Sequence, residues 1–292
     1  MAVVEVYPQG YTGGLGSAGN AAPEKRGECG FWSTGSARRF AQRLMSVDPA
    51  GLTGVGFALT LTVREEAPSV EAFKRARERL LDRLRRMGMV RCVWQVEAQL
   101  RGTPHVHAAV YFPAGAAADV GERVVQHWLV VAAELGAGRR GQDVQPIRDA
   151  LAWSQYLAKH AARGARHAQR EAWRLPPGWD RPGRVWGFAG DWPTRSVRFG
   201  LEPRAFFALR RVRRAQASAA HVVAGDFRSS RAARRAAKVS RRVGMTRDDQ
   251  VVRSRVRGLT EWGGEAETFR LIAWLRRSGF YVVDLGPRRQ DE

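Results

Sequence analysis

The sequence predicts an α+β fold: a central, mainly antiparallel sheet with helices packed on one face, continued by a basic, largely helical C-terminal extension. Three observations carry this. Short β-rich runs recur at 55–63, 90–99 and 105–112. Apolar residues at helical spacing occupy 69–88 and 117–136. The turn signal Arg101-Gly102 joins two of the strands directly, as in a hairpin. The resulting order of strand, helix, strand, strand, helix, strand, helix sorts with layered α+β folds.

Element by element, residues 1–30 are rich in glycine and small side chains and read as a flexible leader. Gly14, Gly16 and Gly19 match GxGxxG there, but without a preceding strand or a following helix pattern they do not make a dinucleotide site. Residues 36–46 read as a short basic helix. In the strand Val55–Val63, Phe57, Leu59 and Leu61 point one way, and Thr60 and Thr62 the other. Phe73, Leu80, Leu84 and Met87 share one face of the helix over 69–88, whose charged residues form a solvated face. The hairpin of 90–99 and 105–112 follows. Val120, Val124, Trp128, Val131 and Leu135 then mark a helix over 117–136, 143–147 a short strand, and Asp149–Ala162 a further helix. After Gly164 the texture changes, with Trp173, Trp179, Trp186 and Trp192 set among Pro and Arg. Residues 203–258 hold 16 Lys and Arg against three acids, Asp226, Asp248 and Asp249. A helix at 264–277 and a strand at 279–285 close the chain. The expected organisation is a leader (1–30), an α+β domain (31–202), a basic extension (203–258) and a small helix–strand unit (259–292) that either packs on the main domain or stands apart.

Composition narrows the function. With 292 residues, 44% apolar and 26% charged, the chain can bury a core, and wholesale disorder is excluded. Its 49 Lys and Arg against 28 Asp and Glu give +21, a field that favours a polyanionic partner, most often nucleic acid. GC-rich coding accounts for Arg over Lys but not for the excess of base over acid. Two cysteines, Cys29 and Cys92, exclude a disulfide scaffold and a Cys-rich zinc finger, and fit a reducing compartment such as the cytoplasm. No run reaches membrane-spanning length, no secretory signal opens the chain, and the dipeptide Gly-Lys of a P-loop is absent.

The chemistry concentrates in RGTPHVHAAVYF. His105 and His107, two apart on a strand, project from one face about 7 Å apart at the backbone and can converge on one ion. The third ligand is to come from the partner strand, where Glu97 and Gln99 share a face; a carboxylate suits a hard cation better than an amide, which favours Glu97. A two- or four-residue loop would pair Glu97 with Val106 and turn it away. A three-residue loop with Gly102 left-handed is expected to pair it with His107. Two imidazoles and a carboxylate suit Mg²⁺ or Mn²⁺ engaging a phosphate. Downstream, in SQYLAKHAAR, Tyr156 and Lys159 share a helix face, and His160 lies one turn from Tyr156. A tyrosine hydroxyl can attack phosphorus where a cation offsets its high pKa, and Lys159 can position the scissile phosphate or leaving oxygen.

Taken in order, the strand Phe57–Thr62, the His105-Val106-His107 strand and the Tyr156/Lys159 helix resemble the three motifs of the HUH endonuclease superfamily, in particular the rolling-circle replication initiators of plasmids and single-stranded DNA phages. The stretch GRVWGF (183–188) resembles a segment that follows the nucleophile in some of them. The resemblance covers roughly residues 35–200. It implies an HUH, ferredoxin-like catalytic domain, a divalent ion on His105, His107 and Glu97, attack by Tyr156 to form a 5′-phosphotyrosine, and a free 3′-OH that primes synthesis. It also implies single-stranded and origin DNA as partners, with a host helicase and polymerase. A second tyrosine near Tyr156, as some phage initiators carry, is absent. Other readings are a single-tyrosine transposase, a relaxase using Tyr7 or Tyr11, or a basic nucleic-acid-binding protein without catalysis.

In the basic extension, Arg210, Arg211, Arg213 and Arg214 cluster, and Arg234, Arg235, Lys238, Arg241 and Arg242 follow at spacings that make a helical stripe. They read either as contacts to DNA phosphates or as a solubilising tail. The tryptophans of 173–192 read as core packing rather than as stacking platforms for bases. If the stripe binds phosphates, the logarithm of DNA affinity should fall steeply and linearly with that of salt concentration. Replacing Arg234, Arg235, Lys238, Arg241 and Arg242 by glutamine should flatten that slope in salt-dependent binding titrations.

Overall fold

The computed structural model describes residues 1–15, 31–64, 68–99, 101–149, 152–153, 156, 167–171, 175–223, 259–262 and 264–287, with the backbone alone for 214–223 and 259–262. Two five-stranded antiparallel sheets organise these residues. In chain order the strands are β1 Ala2–Tyr7, β2 Gly10–Leu15, β3 Val55–Thr62, β4 Arg91–Ala98, β5 Pro104–Phe112, β6 Asp143–Ile147, β7 Trp186–Gly190, β8 Val197–Leu201, β9 Leu259–Trp262 and β10 Val282–Gly286. The helices are α1 Thr34–Ser46, α2 Val70–Arg86, α3 Val120–Val131, α4 Pro203–Val223 and α5 Glu265–Arg277.

The sheet expected from sequence has the order β6-β3-β5-β4-β7, so the HVH strand lies in the middle with a hydrogen-bonded neighbour on each side. Alternation divides its residues. Leu59 and Leu61 of β3, Trp94 and Val96 of β4, and Val106 and Val110 of β5 point to the face covered by α2 and α3. There Phe73 meets Trp128 edge-on at 6.1 Å, and the Trp128 indole N–H donates to the Thr62 carbonyl at 2.9 Å, so the most buried ring of α3 also satisfies its polar atom. Ser69 caps α2 through the Ala72 N–H.

The α+β class holds, and the second face is covered as well. Phe40 of α1 packs on Trp186 of β7 at 5.4 Å and on Phe188 at 6.3 Å. The Trp32 indole N–H donates to the Val96 carbonyl at 2.9 Å. Trp179 (2% exposed) and Trp192 (4%) are buried, in line with core packing, while Trp173 lies outside the described residues.

The second sheet joins both chain ends and corrects the reading of the first. A flexible leader was expected over 1–30, but residues 2–15 form the β1–β2 hairpin within a sheet of order β10-β8-β1-β2-β9; residues 16–30 lie outside the described residues. Val4 and Val6 alternate with Val3 and Glu5, which puts one face of β1 against Phe206 and Leu209 of α4 and Leu271, Ile272 and Leu275 of α5. Glycine in β2 serves close approach: a Cβ on Gly13 would lie 3.0 Å from the Phe206 ring. Of the two arrangements left open for the helix–strand unit over 259–292, the structure shows packing: β9 pairs with β2 of the N-terminal hairpin and β10 with β8. Strand β8, expected within the catalytic domain, belongs to this sheet too.

The two sheets meet around Arg195. Its guanidinium bonds Asp48, next to α1, at 2.7 Å and both carboxylate oxygens of Glu265 at the start of α5. Asp48 is held below the usual carboxylate range, chiefly by its hydrogen bond from Arg195. Deleting residues 1–15 should abolish folding of the second sheet, since it removes two adjacent inner strands. Phe206→Ala should cost about 3–5 kcal/mol in chemical denaturation. A truncated chain that unfolds at the wild-type denaturant midpoint would contradict this.

Candidate metal centre

The β4–β5 hairpin builds the site. Gln99 N–H donates to the Thr103 carbonyl at 2.8 Å, and Gly102 N–H donates to the Gln99 carbonyl at 2.9 Å, closing a three-residue connection over 100–102. Gly102 has φ +88°, the left-handed conformation that glycine adopts without a Cβ clash. Counting back from the Gln99–Thr103 pair places Glu97 opposite His105 and Gln95 opposite His107. The expected loop and facing are present, but the pairing of Glu97 with His107 is corrected by one cross-strand pair.

All three expected ligands converge. The nearest ligand atoms of Glu97, His105 and His107 lie within 4.8 Å of one another, and this is the only group of its kind among the described residues. His105 Nε2 and His107 Nε2 are 2.8 Å apart, and Glu97 Oε2 is 3.6 Å from His107 Nε2. Exposure is 0% for Glu97, 2% for His105 and 5% for His107. Two imidazole nitrogens this close must share a proton or point their lone pairs at a common cation. On the other flank, Thr60 Oγ1 lies 3.1 Å from His107 Nδ1, where an Nδ1–H would donate to it and leave Nε2 as the ligand atom. Two nitrogens and one carboxylate oxygen in a buried cluster fit a divalent cation. Gln99 stands apart at the hairpin end, where its side-chain oxygen accepts from Arg101 Nε at 2.8 Å.

Arg170 is the residue that the sequence did not reveal. It ends a single 3₁₀ turn, Ala168–Arg170, and is 2% exposed. Its Nε donates to Glu97 Oε1 at 2.8 Å, its Nη2 donates to Gln95 Oε1 at 2.9 Å, and the guanidinium lies 3.9 Å from the Trp32 ring centroid. No periodicity or motif marks position 170, and only the fold brings it to β4. Thr60 was legible as a residue on the face opposite Leu59 and Leu61, but its place beside His107 follows from the β3–β5 register.

Tyr156 lies on the same side of the sheet as the imidazoles. Tyr111 follows His107 by four positions on β5 and so shares its face; its ring meets Trp153 at 6.3 Å, and Trp153 stacks on Tyr156 at 5.5 Å. Tyr156 is helical and 6% exposed. Lys159 and His160 lie outside the described residues. Tyr11 is fully buried in the second sheet, where Arg213 lies 5.4 Å from its ring centroid, and Tyr7 is 4% exposed.

Of the expected DNA contacts, Arg211 is exposed and Arg210 lies over Phe206 at 6.0 Å. Arg213 is corrected: it is 8% exposed and pairs with Glu267 of α5 at 2.7 Å, because its position on α4 faces the second sheet's core. The Arg214 side chain, Arg234, Arg235, Lys238, Arg241 and Arg242 lie outside the described residues.

Burial raises the Tyr111 hydroxyl far above the ordinary phenol range, against a smaller opposing effect of Arg91. That hydroxyl has no hydrogen-bond partner among the described residues. Tyr111→Phe should therefore leave stability unchanged or raise it by about 1 kcal/mol in chemical denaturation; a loss of that size would point to an unseen partner.

Residues 56–163, which span Glu97, His105, His107 and Tyr156, match the family described as Replication-associated protein ORF2/gene 2 protein. A protein of Xylella fastidiosa (strain 9a5c) named for replication is 40% identical over 271 residues, covering 90% of this chain and 92% of its own. One from X. fastidiosa (strain Temecula1 / ATCC 700964), similarly named, is 40% identical over 272 residues, covering 90% and 99%. The replication-associated gene 2 protein of Pseudomonas phage Pf3 is 33% identical over 285 residues, covering 96% and 99%. No solved structure matches the chain. Matched to such relatives along nearly their whole lengths, the chain belongs to the ORF2/gene 2 family of replication-associated proteins.

Proposed function

We propose that the chain initiates rolling-circle replication as an HUH-type endonuclease that nicks and rejoins single-stranded DNA at an origin. The observation that carries this reading is the convergence of His105, His107 and Glu97 on the strand face that also carries the Tyr156 helix. In a replication-associated family, that pairing of a candidate cation site with a tyrosine suits phosphoryl transfer. His105, His107 and Glu97 would hold Mg²⁺ or Mn²⁺, which supplies Lewis-acid polarisation of a phosphate oxygen.

The chain's own residues do the rest. Thr60 fixes the orientation of His107, and the β5 ladder holds both imidazoles in place. Tyr156 Oη forms a bond to phosphorus as the P–O3′ bond breaks; the phenol gives up its proton, and the departing 3′-oxygen ends as a hydroxyl. Lys159 positions that leaving oxygen. Attack by a later 3′-OH reverses the step and closes a circle. The exposed Arg211 and, in the same 203–258 extension, Arg234, Arg235, Lys238, Arg241 and Arg242 supply phosphate contacts, and a host helicase and polymerase supply unwinding and synthesis. No helix among the described residues is long and apolar enough to cross a membrane.

Tyr7 and Tyr11 stand on strands of the second sheet, whereas the imidazoles stand on the first, which argues against a relaxase-like use of either. The test is incubation with end-labelled single-stranded DNA tiled across the replicon, with Mn²⁺ or EDTA, on a denaturing gel. Wild type should give a metal-dependent nick and a covalent adduct, both lost in Tyr156→Phe and His105→Ala. Cleavage by Tyr156→Phe would transfer the nucleophile to another residue. DNA binding without cleavage in any metal would leave a non-catalytic binding protein.

A further inference from the structure

The guanidinium of Arg170 is fixed on three sides: by Glu97 Oε1 at 2.8 Å, by Gln95 Oε1 at 2.9 Å and by the Trp32 ring at 3.9 Å. Its two acceptors sit directly opposite His105 and His107 in the β4–β5 ladder. It lies outside the stretch matched by the family, downstream of Tyr156, and reaches back to β4. We propose that Arg170 is the positioning residue of the metal centre, holding Glu97 as a one-oxygen ligand and preserving the centre's positive charge for a phosphodiester. This rests on the metal-centre reading above.

The geometry divides the carboxylate. Oε1 is engaged by Nε, and Oε2 is the oxygen turned to His107, 3.6 Å from its Nε2. An unrestrained carboxylate can swing or bind an ion through both oxygens. One oxygen tied by a charge-assisted hydrogen bond leaves a single donor in a fixed place. Charge is the second argument. A divalent ion loses half its net charge to one carboxylate ligand, and Arg170, buried with Glu97, offsets that loss where it matters most for a phosphate. The third is shape. A planar fork can donate to two acceptors on one strand while its carbon sits over an indole ring; a lysine ammonium keeps the charge but not the fork.

The experiment is Mn²⁺ titration of the full chain, following free Mn²⁺ by electron paramagnetic resonance well below each variant's unfolding midpoint. Circular dichroism confirms the folded state. Wild type should bind Mn²⁺ and His105→Ala should lose it. Arg170→Lys should bind about 10–100-fold more weakly. Trp32→Leu, which removes the surface under the guanidinium and leaves both acceptors, should weaken binding in the same direction by less and serves if Arg170→Lys does not fold. Wild-type Mn²⁺ affinity in the folded variants, with only a lower unfolding midpoint, would make Arg170 a structural pin and overturn the proposal while the metal centre stands. Equal Mn²⁺ binding by wild type and His105→Ala would overturn the metal centre itself, and the proposal with it.

Discussion

The pairing of β4 with β5 sets how Glu97 and Gln95 face the two imidazoles of the candidate centre. Side chains alternate along a strand, so a slip of one residue would send Glu97 and Gln95 to the face now occupied by Trp94 and Val96 and bring those apolar groups to the imidazoles. Two features prevent the slip. Gly102, left-handed at φ +88°, fits the short connection, and the apolar set of β4 is locked against α2 and α3. Because β5 is bonded on both sides, His105 and His107 are fixed by two ladders rather than one. Such support gives a site on a strand a precision that a loop lacks.

The electrostatics of the centre follow from that burial. Glu97 and Arg170 both have fully buried side chains. Removing such charges from water is costly, and packed apolar residues often stabilise a core as well or better. What the pair supplies instead is a carboxylate with a set orientation, its partner steadied by Gln95 and Trp32. The Arg195 network differs in kind: its guanidinium is about half exposed, and its contribution to stability is correspondingly screened. Its role is geometric, joining the start of α5 to the end of the α1 segment.

The second sheet gives the chain ends a common purpose. The N-terminal hairpin cannot hide Val4, Val6 and Tyr11 by itself, and Phe206 and Leu209 of α4 with Leu271, Ile272 and Leu275 of α5 share a core with them. Joining them buries both, and it also draws Arg213 inward against Tyr11 and Glu267. The basic character of α4 is thereby divided between a structural arginine and exposed ones such as Arg211. In the first sheet an aromatic layer of Phe40, Trp186, Phe188, Trp192 and Trp153 extends across the face that carries the imidazoles and reaches Tyr156 through Trp153.

Local pattern determined much of this. The alternation of Val55–Val63, the helical spacing of Phe73, Leu80 and Leu84, and the HVH strand with its glycine turn each encode an element within a few residues, and the elements formed where their periodicity placed them. The facing of Glu97 with the histidines was legible only with the Gly102 turn read as a three-residue connection. The tertiary structure decided what no local signal carries. The exact cross-strand partner of Glu97 depended on which residues closed the turn. The glycine content of residues 1–30 reads as a leader, and only strands from 197–201, 259–262 and 282–286 give Val4 and Val6 a sheet to join. Arg170 reaches Glu97 across 73 positions, and Arg213 turns inward only once Tyr11 and Glu267 are in place. Periodicity reports which way a residue faces; which distant residue it meets is fixed only when the apolar faces have found one another.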